Sequence, residues 1–353
     1  MEAWFTKKLT NWYAANKRDL PWRNQTNAYF IWLSEIILQQ TQVAQGLNYY
    51  LKFIKNYPTV KKLANASEDE ILKDWQGLGY YSRARNLHTG AKNILEKHNG
   101  KFPTNYEDIR ELKGVGDYTA AAIASFAYNL PHAVVDGNVY RVLSRLFGVE
   151  TPIDSGMGKK QFQQLANELL DKKNAATHNQ AIMEFGSQYC KPVNPDCNNC
   201  IFSKKCFAFA NNLVSVLPIK EKKTKIKNRY LNYLILIDKN KRVLINKRTE
   251  NDIWKGLYEF YLLESEKGLT ELELLNNKTI VSLILSDFSI QFTSKQYKHV
   301  LTHQHLYAKF YVIKLSKSHT KTTITSSINS LTKYAFPRLI DKFLNDYRTE
   351  LFY

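Results

Sequence analysis

Apolar residues recur every three or four positions through the first two hundred residues of this chain, which is the period of helices that bury one face. The pattern is clear between Ile31 and Ile54. Prolines separate the periodic segments, and Ser67 with Glu70 three residues later has the spacing of a helix capping box. These features predict an all-α domain, without a long alternating strand, up to about Phe209.

The pattern changes after Pro218. The segment IKEKKTKIKNR is strongly basic and predicts an exposed linker, either a solvated connector or one that also touches phosphate. Beyond it, short runs rich in β-branched and aromatic residues, such as YLNYLILI, RVLINKR and HLYAKFYVIKL, are typical of strands, while INSLTKY and FPRLIDKFLNDYR are typical of helices. We therefore expect a helical domain over residues 1–218, a linker over 219–229 and a mixed α+β domain over 230–353.

Length and composition fit this division. The 353 residues are enough for about two domains, and a mean hydropathy of −0.42 with 44% hydrophobic residues is that of a soluble globular protein. No run approaches the ~18 apolar residues of a membrane-spanning helix, and the charged N-terminal segment has no signal-peptide core. We expect a cytoplasmic protein without a membrane partner.

The charge balance points to a polyanion as partner. Fifty Lys and Arg residues against 32 Asp and Glu residues give a net charge of +18 and a pI near 9.5. A positive field of this size attracts nucleic acids. Lysines that only keep the protein soluble are the alternative, and composition by itself gives nucleic acid a small advantage.

All four cysteines lie in one segment with the spacing C-x6-C-x2-C-x5-C: Cys190, Cys197, Cys200 and Cys206. Structural zinc usually takes paired two-residue knuckles, and only Cys197 and Cys200 form one. The wider flanking spacings favour a cubane iron–sulfur cluster, in which each iron takes one thiolate. Zinc and unliganded thiols are the alternatives.

A glycine turn and an aspartate suggest a DNA-binding site. Gly114 and Gly116 lie between two segments of helical character, NYEDIREL and DYTAAAIASFAY. Glycines permit a tight turn, and free N–H groups at the next helix can bind a phosphate, which is the pattern of a helix–hairpin–helix element. Asp136 follows at the predicted start of another helix, where a carboxylate caps the helix and stays ionised. Position alone favours the cap, and a chemical role is compatible with it.

Together these features resemble the MutY family of adenine DNA glycosylases, within the endonuclease III superfamily of base-excision enzymes. The residues that carry the resemblance are LPWR at 20–23, WLSEIILQQTQV at 32–43, GLGYYSRARNL at 77–87, GVGDYTA at 114–120 and DGNV at 136–139. The resemblance implies an all-α helix–hairpin–helix glycosylase domain with an iron–sulfur loop, followed by an α+β MutT-like (Nudix-like) domain. It also implies one 4Fe-4S cluster on the four cysteines, and a monomeric, nucleoid-associated enzyme that acts on double-stranded DNA.

The resemblance gives roles to individual residues. Glu35 matches the general acid that protonates the departing base, and Asp136 matches the carboxylate that offsets the charge on the sugar. Apolar neighbours of Glu35 in the sequence predict a raised pKa for its carboxyl group. Other residues match positions that line the pocket or surround the adenine: Tyr118, Asn138, Trp22, Arg23 and Gln180.

Other matches concern DNA and the opposite base. Gln40 and Tyr80 match residues that fill the gap and wedge the base stack when a nucleotide is flipped out. In the C-terminal part, KHVLTHQHL matches the loop that senses 8-oxoguanine in the family. The family commonly has Phe-Ser-His there, and this chain has Leu301, Thr302 and His303. The hydroxyl and the imidazole persist, whereas the aromatic ring is replaced.

At two places the sequence differs from the motifs of related enzymes, and these differences count against some of the possible activities. Tyr118 stands where bifunctional pyrimidine-excising relatives have a Schiff-base lysine, and a phenol cannot form an imine with an abasic sugar. Nothing like the Nudix box R-E-x-x-E-E follows Gly256. We therefore expect a monofunctional glycosylase that hydrolyses the bond to adenine paired with 8-oxoguanine or G, in base excision repair. The alternatives are a bifunctional pyrimidine glycosylase/lyase, a non-catalytic iron–sulfur DNA-binding protein and a nucleotide pyrophosphatase.

Overall fold

Helices form the chain up to residue 210, as the apolar period predicts. The structure is a computed structural model that describes residues 3–221, 225–278, 280, 288–316 and 324–348. The helices of this first part are α1 (Ala3–Asn16), α2 (Ala28–Leu38), α3 (Val43–Asn56), α4 (Val60–Asn65), α5 (Glu68–Asp74), α6 (Ser82–Lys97), α7 (Tyr106–Arg110), α8 (Asp117–Tyr128), α9 (Gly137–Phe147), α10 (Gly156–Leu169), α11 (Ala175–Gln188) and α12 (Phe207–Ala210). Ser67 and Glu70 form the expected capping box at α5.

The chain divides into two compact units. The first contains Met1–Asn65 and Asn86–Lys223, and the second contains Ala66–Arg85 and Thr224–Tyr353. Strand β1 (Lys227–Ile237) begins inside the segment that the sequence assigns to a linker. The grouping of residues 66–85 with the second unit has no signal in the sequence, because the pattern there is that of ordinary helices. The domain limits at residues 218 and 230 stay a prediction.

The core of the first unit contains aromatic side chains from several helices. Phe5, Phe162 and Phe185 are completely or almost completely buried in one cluster. Helices α9 and α11 come close together at Gly186, where a Cβ would lie 2.7 Å from the Cβ of Asn138. A larger residue would push the two helices apart, because protein interiors are closely packed.

A tight turn joins α7 to α8 and completes the helix–hairpin–helix element. Gly114 has a φ of +82°, a left-handed conformation that favours glycine, and a Cβ there would lie 2.6 Å from the Cβ of Asn86. Gly116 directly precedes α8, and no atom lies within 4 Å of the position that its Cβ would take. The chain just before α8 is therefore uncrowded, which leaves room for a phosphate at the start of the helix.

The second unit is built on a sheet. Its strands are β1 (Lys227–Ile237), β2 (Arg242–Lys247), β3 (Tyr258–Glu259), β4 (Tyr261–Ser265), β5 (Phe288–Thr293), β6 (Tyr297–Val300), β7 (Gln304–Leu315) and β8 (Ile324–Ser327). The order is β3-β2-β1-β7-β5, with β4 paired to β1, β6 to β7 and β8 to β2. Strands β1 and β7 are parallel. Within the described part of this unit, the sheet is accompanied by the helices α13 (Glu271–Leu275) and α14 (Arg338–Asp346).

Alternate residues of the central strands belong to two apolar clusters, as the period of a strand requires. Tyr233 and Phe310 stack on each other, and Phe310 stacks on Phe343 of α14. Leu234 and Ile313 belong to the second cluster, together with a leucine of α13. The expected fold class, an all-α part followed by an α+β part, is confirmed. The short elements β5, β6 and α13 were not expected, and INSLTKY forms a 3-10 helix.

Among the described residues, no helix is both long enough and apolar enough to span a membrane.

Candidate active site

Glu35 lies on the buried side of α2, where the residue is 8% exposed. Its neighbours Ile31 and Trp32 are almost completely buried. Burial raises the pKa of Glu35 to about 7, and the charge of Asp136 adds to the rise, while a hydrogen bond from Tyr118 and a nearby positive charge oppose it. A carboxyl group with this pKa keeps its proton in much of the population at neutral pH, so it can act as an acid.

Tyr118 connects the hairpin to this acid. It occupies the first turn of α8, and its hydroxyl donates to Glu35 Oε2 at 3.1 Å. Burial raises the pKa of the Tyr118 hydroxyl far above its usual range, and the charges of Glu35 and Asp136 raise it further. The phenol is therefore a neutral hydrogen-bond donor at any working pH. The electrostatic effect of Asp136 on both residues indicates that the three side chains share one site.

Asp136 is the N-cap of α9. Its Oδ1 accepts from the backbone N–H groups of Asn138 at 2.9 Å and Val139 at 2.8 Å, and its Oδ2 accepts from the Asn138 side-chain amide at 2.8 Å. Burial raises the pKa of Asp136, and these hydrogen bonds oppose the rise because they favour the carboxylate. The cap therefore exists, and it presents an anion at the start of a helix.

Asn138 joins Asp136 to the cysteine segment. Its Oδ1 accepts from Arg141 Nη2 at 2.9 Å, and Arg141 also donates to the backbone carbonyl groups of Gly186 and Cys190, both at 2.7 Å. The catalytic candidate Asp136 thus lies at the start of α9. Arg141, one turn further along the same helix, binds the backbone at the end of α11 and the start of the cysteine segment.

Glu184 on α11 was missed by sequence reasoning. It is completely buried, and its carboxylate pairs with Arg18 Nε at 2.7 Å and Arg23 Nη2 at 2.6 Å. Burial alone would raise the pKa of Glu184, but the hydrogen bond from Arg18 and the charge of Arg23 bring the pKa below its usual value. The one signal in the sequence is an acid four residues after Gln180, on the same helical face.

Two of the residues expected around the base belong to this same network. Arg23 Nη1 donates to the hydroxyl of Tyr13 at 2.7 Å, and that hydroxyl donates to Gln180 Oε1 at 2.7 Å. Trp22 is different, since it is 7% exposed and packs edge-to-face on Tyr50. The structure therefore brings Arg23 and Gln180 together and buries Trp22 in the core.

Gln40 lies in the turn just after α2. Its φ is +53°, which is uncommon for a residue other than glycine and is often found at functional sites. Gln39 beside it donates to Thr119 Oγ1 at 3.2 Å, which ties this turn to α8. Gln40 itself is exposed.

A wide groove includes Gly116 and Tyr118 in its lining. The lysines that line it are Lys7, Lys159, Lys160, Lys172 and Lys173, against the acids Asp117, Glu168 and Asp171. An excess of positive charge next to the hairpin suits the phosphates of DNA. The sequence did not single out these lysines, because residues so far apart along the chain are brought together only by folding.

The cysteine segment follows α11, and its four thiols are free and partly exposed. Arg145 Nη1 lies 3.6 Å from Cys190 Sγ. Burial raises the pKa of Cys200 to about 11, and the other three cysteines add to the rise, which indicates that the thiols are close together. Within the described part of the chain, no three His, Cys, Asp or Glu side chains are arranged to hold one metal ion. Four thiols in one loop are a donor set that either a single metal ion or an iron–sulfur cluster can use.

In the second unit, the segment expected to sense 8-oxoguanine forms the turn between β6 and β7. Thr302 and His303 are exposed in this turn, while Leu301 packs against the apolar core. His299 is half-buried, with its ring 6.2 Å from that of Trp254. His305 is also only partly exposed, so His303 is the most exposed imidazole of this segment.

Tyr80 contacts this turn. The residue is 49% exposed, has a φ of +47°, and its hydroxyl lies 2.8 Å from Thr302 Oγ1. The guanidinium group of Arg83 lies 5.7 Å from the centre of the Tyr80 ring. A large aromatic ring that is half-exposed and held in a strained backbone is unusual, since burial would remove apolar surface from water.

Comparisons with known proteins show the family of this chain. A family model described as "HhH-GPD superfamily base excision DNA repair protein" matches residues 33–171, and one described as "NUDIX domain" matches residues 232–346. An adenine DNA glycosylase of Buchnera aphidicola subsp. Baizongia pistaciae is 34% identical over 352 residues, which are 96% of this chain and 95% of that protein. The chain belongs to the family of adenine DNA glycosylases.

Solved structures match the helical part. A thermostable thymine-DNA glycosylase is 30% identical with a TM-score of 0.55, and the match covers 59% of this chain and 95% of that one. Endonuclease III in a trapped covalent intermediate with DNA is 20% identical with a TM-score of 0.53, and the match covers 60% of this chain and 96% of that one. The second likeness shows the fold alone.

Family membership makes this chain a DNA glycosylase, a DNA-binding enzyme of base excision repair. The expected resemblance is thereby confirmed, and so is the helix–hairpin–helix class. One residue bears on the type of glycosylase. Tyr118, which lies against Glu35, is a phenol and offers no amine for imine chemistry.

Proposed function

We propose that this enzyme is a monofunctional glycosylase that removes adenine paired with 8-oxoguanine or G in double-stranded DNA. The observation that carries the proposal is a buried carboxyl group, Glu35, with a pKa raised to about 7 and a hydrogen bond from Tyr118, in the same site as Asp136. Cleavage of an N-glycosidic bond needs an acid for the departing base and an anion for the sugar cation. The nucleoid of the cytoplasm is the proposed place of action.

In the proposed reaction, Glu35 transfers its proton to a ring nitrogen of adenine. The bond from the sugar C1′ to the base then breaks, and its electron pair goes to the base. Water adds to C1′ and releases a proton to a carboxylate, so the products are free adenine and an abasic sugar. General acid catalysis of this kind contributes about 10²–10⁴-fold to the rate.

Asp136 offsets the charge of the oxocarbenium-like sugar. The hydrogen bonds from two backbone N–H groups of α9 and from Asn138 hold the carboxylate in place before the reaction. An anion that is already fixed in a largely buried site stabilises a developing cation without further rearrangement. Asn138 is thus proposed to orient Asp136.

Base recognition is proposed for the network around Glu184. A glutamine side chain can pair with the N6 and N7 edge of adenine, and Gln180 is linked to Arg23 through the hydroxyl of Tyr13. Since Trp22 is mostly buried, we propose that it forms part of the wall of the pocket.

DNA binding is proposed for the hairpin, the lysine-lined groove and two residues in strained turns. Gly114 and Gly116 would place the α8 N–H groups against a phosphate. Flipping a nucleotide out of the stack costs a few kcal/mol, and Gln40 and Tyr80 would fill the space and wedge the bases. Thr302 and His303, both exposed, would face the opposite base. The monomeric state stays a prediction.

We also propose that the cysteines hold one 4Fe-4S cluster: Cys190, Cys197, Cys200 and Cys206. When bound, the cluster would supply no step of the hydrolysis and would cross-link the loop after α11. Metal analysis of the purified protein should find about four irons per chain, as one cubane contains. One zinc and no iron would contradict the proposal.

The function is tested by single-turnover excision on duplexes with A opposite 8-oxoguanine, G or C. We expect adenine to be released, fastest opposite 8-oxoguanine, with strand breaks only after alkali treatment. Borohydride should trap no covalent adduct. Release of a pyrimidine, or an adduct, would favour the bifunctional alternative.

The role of the β6–β7 turn is tested by the double variant Thr302→Ala with His303→Ala. Lys298→Ala is the matched control, because it removes a charge from the same hairpin outside the turn. Loss of this charge should weaken the binding of both substrates alike, since contacts to phosphates do not distinguish the bases. The double variant should instead lower the preference for 8-oxoguanine over G. An unchanged preference would exclude these two side chains from lesion recognition.

A further inference from the structure

Arg229 lies near the start of β1, and its side chain is 10% exposed. The guanidinium group makes two bidentate ion pairs. Nε and Nη2 each lie 2.7 Å from the carboxylate of Glu264, and Nη1 and Nη2 lie 3.0 and 2.8 Å from that of Asp252. The planar fork of arginine matches a carboxylate in this way, whereas an ammonium group cannot do so.

A third contact leads to the turn between β6 and β7. Arg229 Nη1 donates to Gln304 Oε1 at 3.1 Å. Gln304 closes the turn, since its carbonyl oxygen accepts from the N–H of Leu301 at 2.8 Å. The residues between them are Thr302 and His303, which the proposed function places against the opposite base.

The network holds Arg229 rigidly. Asp252 is also bound by Arg248 Nη2 at 3.0 Å, and Arg248 donates through Nη1 to Glu259 of β3. Burial alone would raise the pKa of Asp252, but the hydrogen bond from Arg229 and the two positive charges bring it below its usual value. The donor aimed at Gln304 is thus fixed by carboxylates from β3, β4 and the loop after β2.

We propose that Arg229 is a positioning residue for lesion recognition: it fixes Gln304, and thereby directs Thr302 and His303 toward the base opposite adenine. The inference rests on the proposed function and deepens it. The backbone of the turn has its own anchors, since β1 and β7 pair from Lys227 and Gln304 onward and the Lys227 N–H donates to the His303 carbonyl at 3.0 Å. Arg229 adds to them a charge-assisted hydrogen bond to the side chain that closes the turn.

The first experiment changes the acceptor. Gln304→Met keeps the length of the side chain and removes Oε1, whereas Gln304→Glu keeps an acceptor for Arg229. The measured quantity is the ratio of single-turnover excision rates opposite 8-oxoguanine and opposite G. This ratio cancels any effect common to both substrates, including the added charge of the glutamate. We expect Gln304→Met to lower the ratio about tenfold, the effect of one charge-assisted hydrogen bond, and Gln304→Glu to retain it.

The second experiment changes the donor. Arg229→Lys keeps the charge but cannot bind two carboxylates and an amide at once. Arg242→Lys is the matched control, because Arg242 makes a similar pair with Asp238 through Nε and Nη2, both at 2.9 Å, at the other end of β1. Arg229→Lys should lower the ratio and Arg242→Lys should leave it unchanged, with thermal melting recorded for both variants.

The outcomes separate this inference from the proposed function. Adenine excision with an unchanged ratio in Gln304→Met and Arg229→Lys overturns the inference alone. An equal fall of the ratio in Arg242→Lys also overturns it, because the effect would then follow the stability of the sheet. If Arg229→Lys does not fold, the two Gln304 variants decide. Absence of adenine excision by the wild-type chain overturns the proposed function and this inference with it.

Discussion

The first unit places two buried glutamates near the same arginine and treats them in opposite ways. Glu184 on α11 pairs with Arg18 and Arg23, and its pKa lies below the usual value. Glu35 on α2 has a hydrogen bond from the neutral hydroxyl of Tyr118, and its pKa is raised to about 7. Arg23 acts on Glu35 only as the weakest of the opposing influences.

The difference shows how one pocket separates a chemical group from a structural one. Burial penalises the ionised form of both side chains. At Glu184 two guanidinium groups offset this penalty, so the carboxylate stays charged and orders the arginines. Among the residues that the structure describes, no guanidinium group forms an ion pair with Glu35, so the proton is retained and is available for transfer. The identity of the partner, and not the degree of burial, decides the role of each glutamate.

The largest effects should come from exchanging each glutamate for glutamine. We expect Glu35→Gln to lower the single-turnover rate of adenine release by about 10²–10⁴-fold, the contribution of a general acid, with DNA binding nearly unchanged. Glu184→Gln should chiefly lower the free energy of unfolding, by up to about 3 kcal/mol, because two arginines lose their partner. Its rate loss should be smaller than that of Glu35→Gln, because Arg23 and Gln180 remain linked through Tyr13. Excision kinetics and thermal melting distinguish the two. Equal effects on rate and stability in both variants would contradict the comparison.

The difference in stability between the wild-type chain and Glu35→Gln should depend on pH, in a direction that can be measured. Because the pKa of Glu35 is raised from 4.5 to about 7 in the folded protein, its carboxyl group ionises first in the unfolded chain, which lowers the free energy of unfolding between these two pH values. The wild-type chain should therefore lose stability relative to the variant as the pH rises through this range. A constant difference from pH 4 to pH 8 would mean that Glu35 is not buried as described.

Asp136→Asn tests the other carboxylate with its capping role preserved. Asparagine and aspartate are equally good N-caps, so α9 should form as before. The rate should fall by about 10²–10³-fold, the usual cost of removing one preorganised electrostatic contact, because an amide cannot offset the sugar cation. A rate loss that follows a lowered melting temperature would make Asp136 mainly a cap.

The pH profile should show both carboxyl groups. Glu35 must carry its proton, so kcat/KM should fall tenfold per pH unit above about 7. Asp136 must be ionised, and burial raises its pKa. The acid limb of the profile should therefore have its midpoint at a higher pH than the usual pKa of an aspartate. A rate that stays constant from pH 7 to pH 9 would remove Glu35 from the role of acid.

The smallest expected effect is a shift of that profile in Tyr118→Phe. The hydroxyl of Tyr118 favours the ionised form of Glu35, so its removal should raise the pKa of Glu35 and move the alkaline limb to higher pH. The shift should be smaller than one pH unit if a neutral hydrogen bond contributes about 1 kcal/mol. Tyr140→Phe, which removes a hydroxyl elsewhere in the first unit, is the control and should leave the limb in place.

Much of the fold could be read from local patterns. The helical period, the capping box of Ser67 and Glu70, the glycines of the hairpin and the cysteine spacing each depend on residues close together in sequence. Short elements such as β6, which has four residues, could not be predicted from the sequence, because too few positions show their period. The composition of INSLTKY is typical of a helix, but it does not distinguish an α-helix from the tighter 3-10 helix that this segment forms.

The sequence by itself determined which chemical groups this protein can use: two candidate carboxyl groups, four thiols, a glycine hairpin and a basic surface. Only the tertiary structure decided what each group does with its surroundings. Arg23 and Glu184 are 161 positions apart, and Arg229 and Gln304 are 75 apart. Ion pairing, desolvation and pKa depend on which side chains meet in space, and contacts over such distances in the chain are set by the fold.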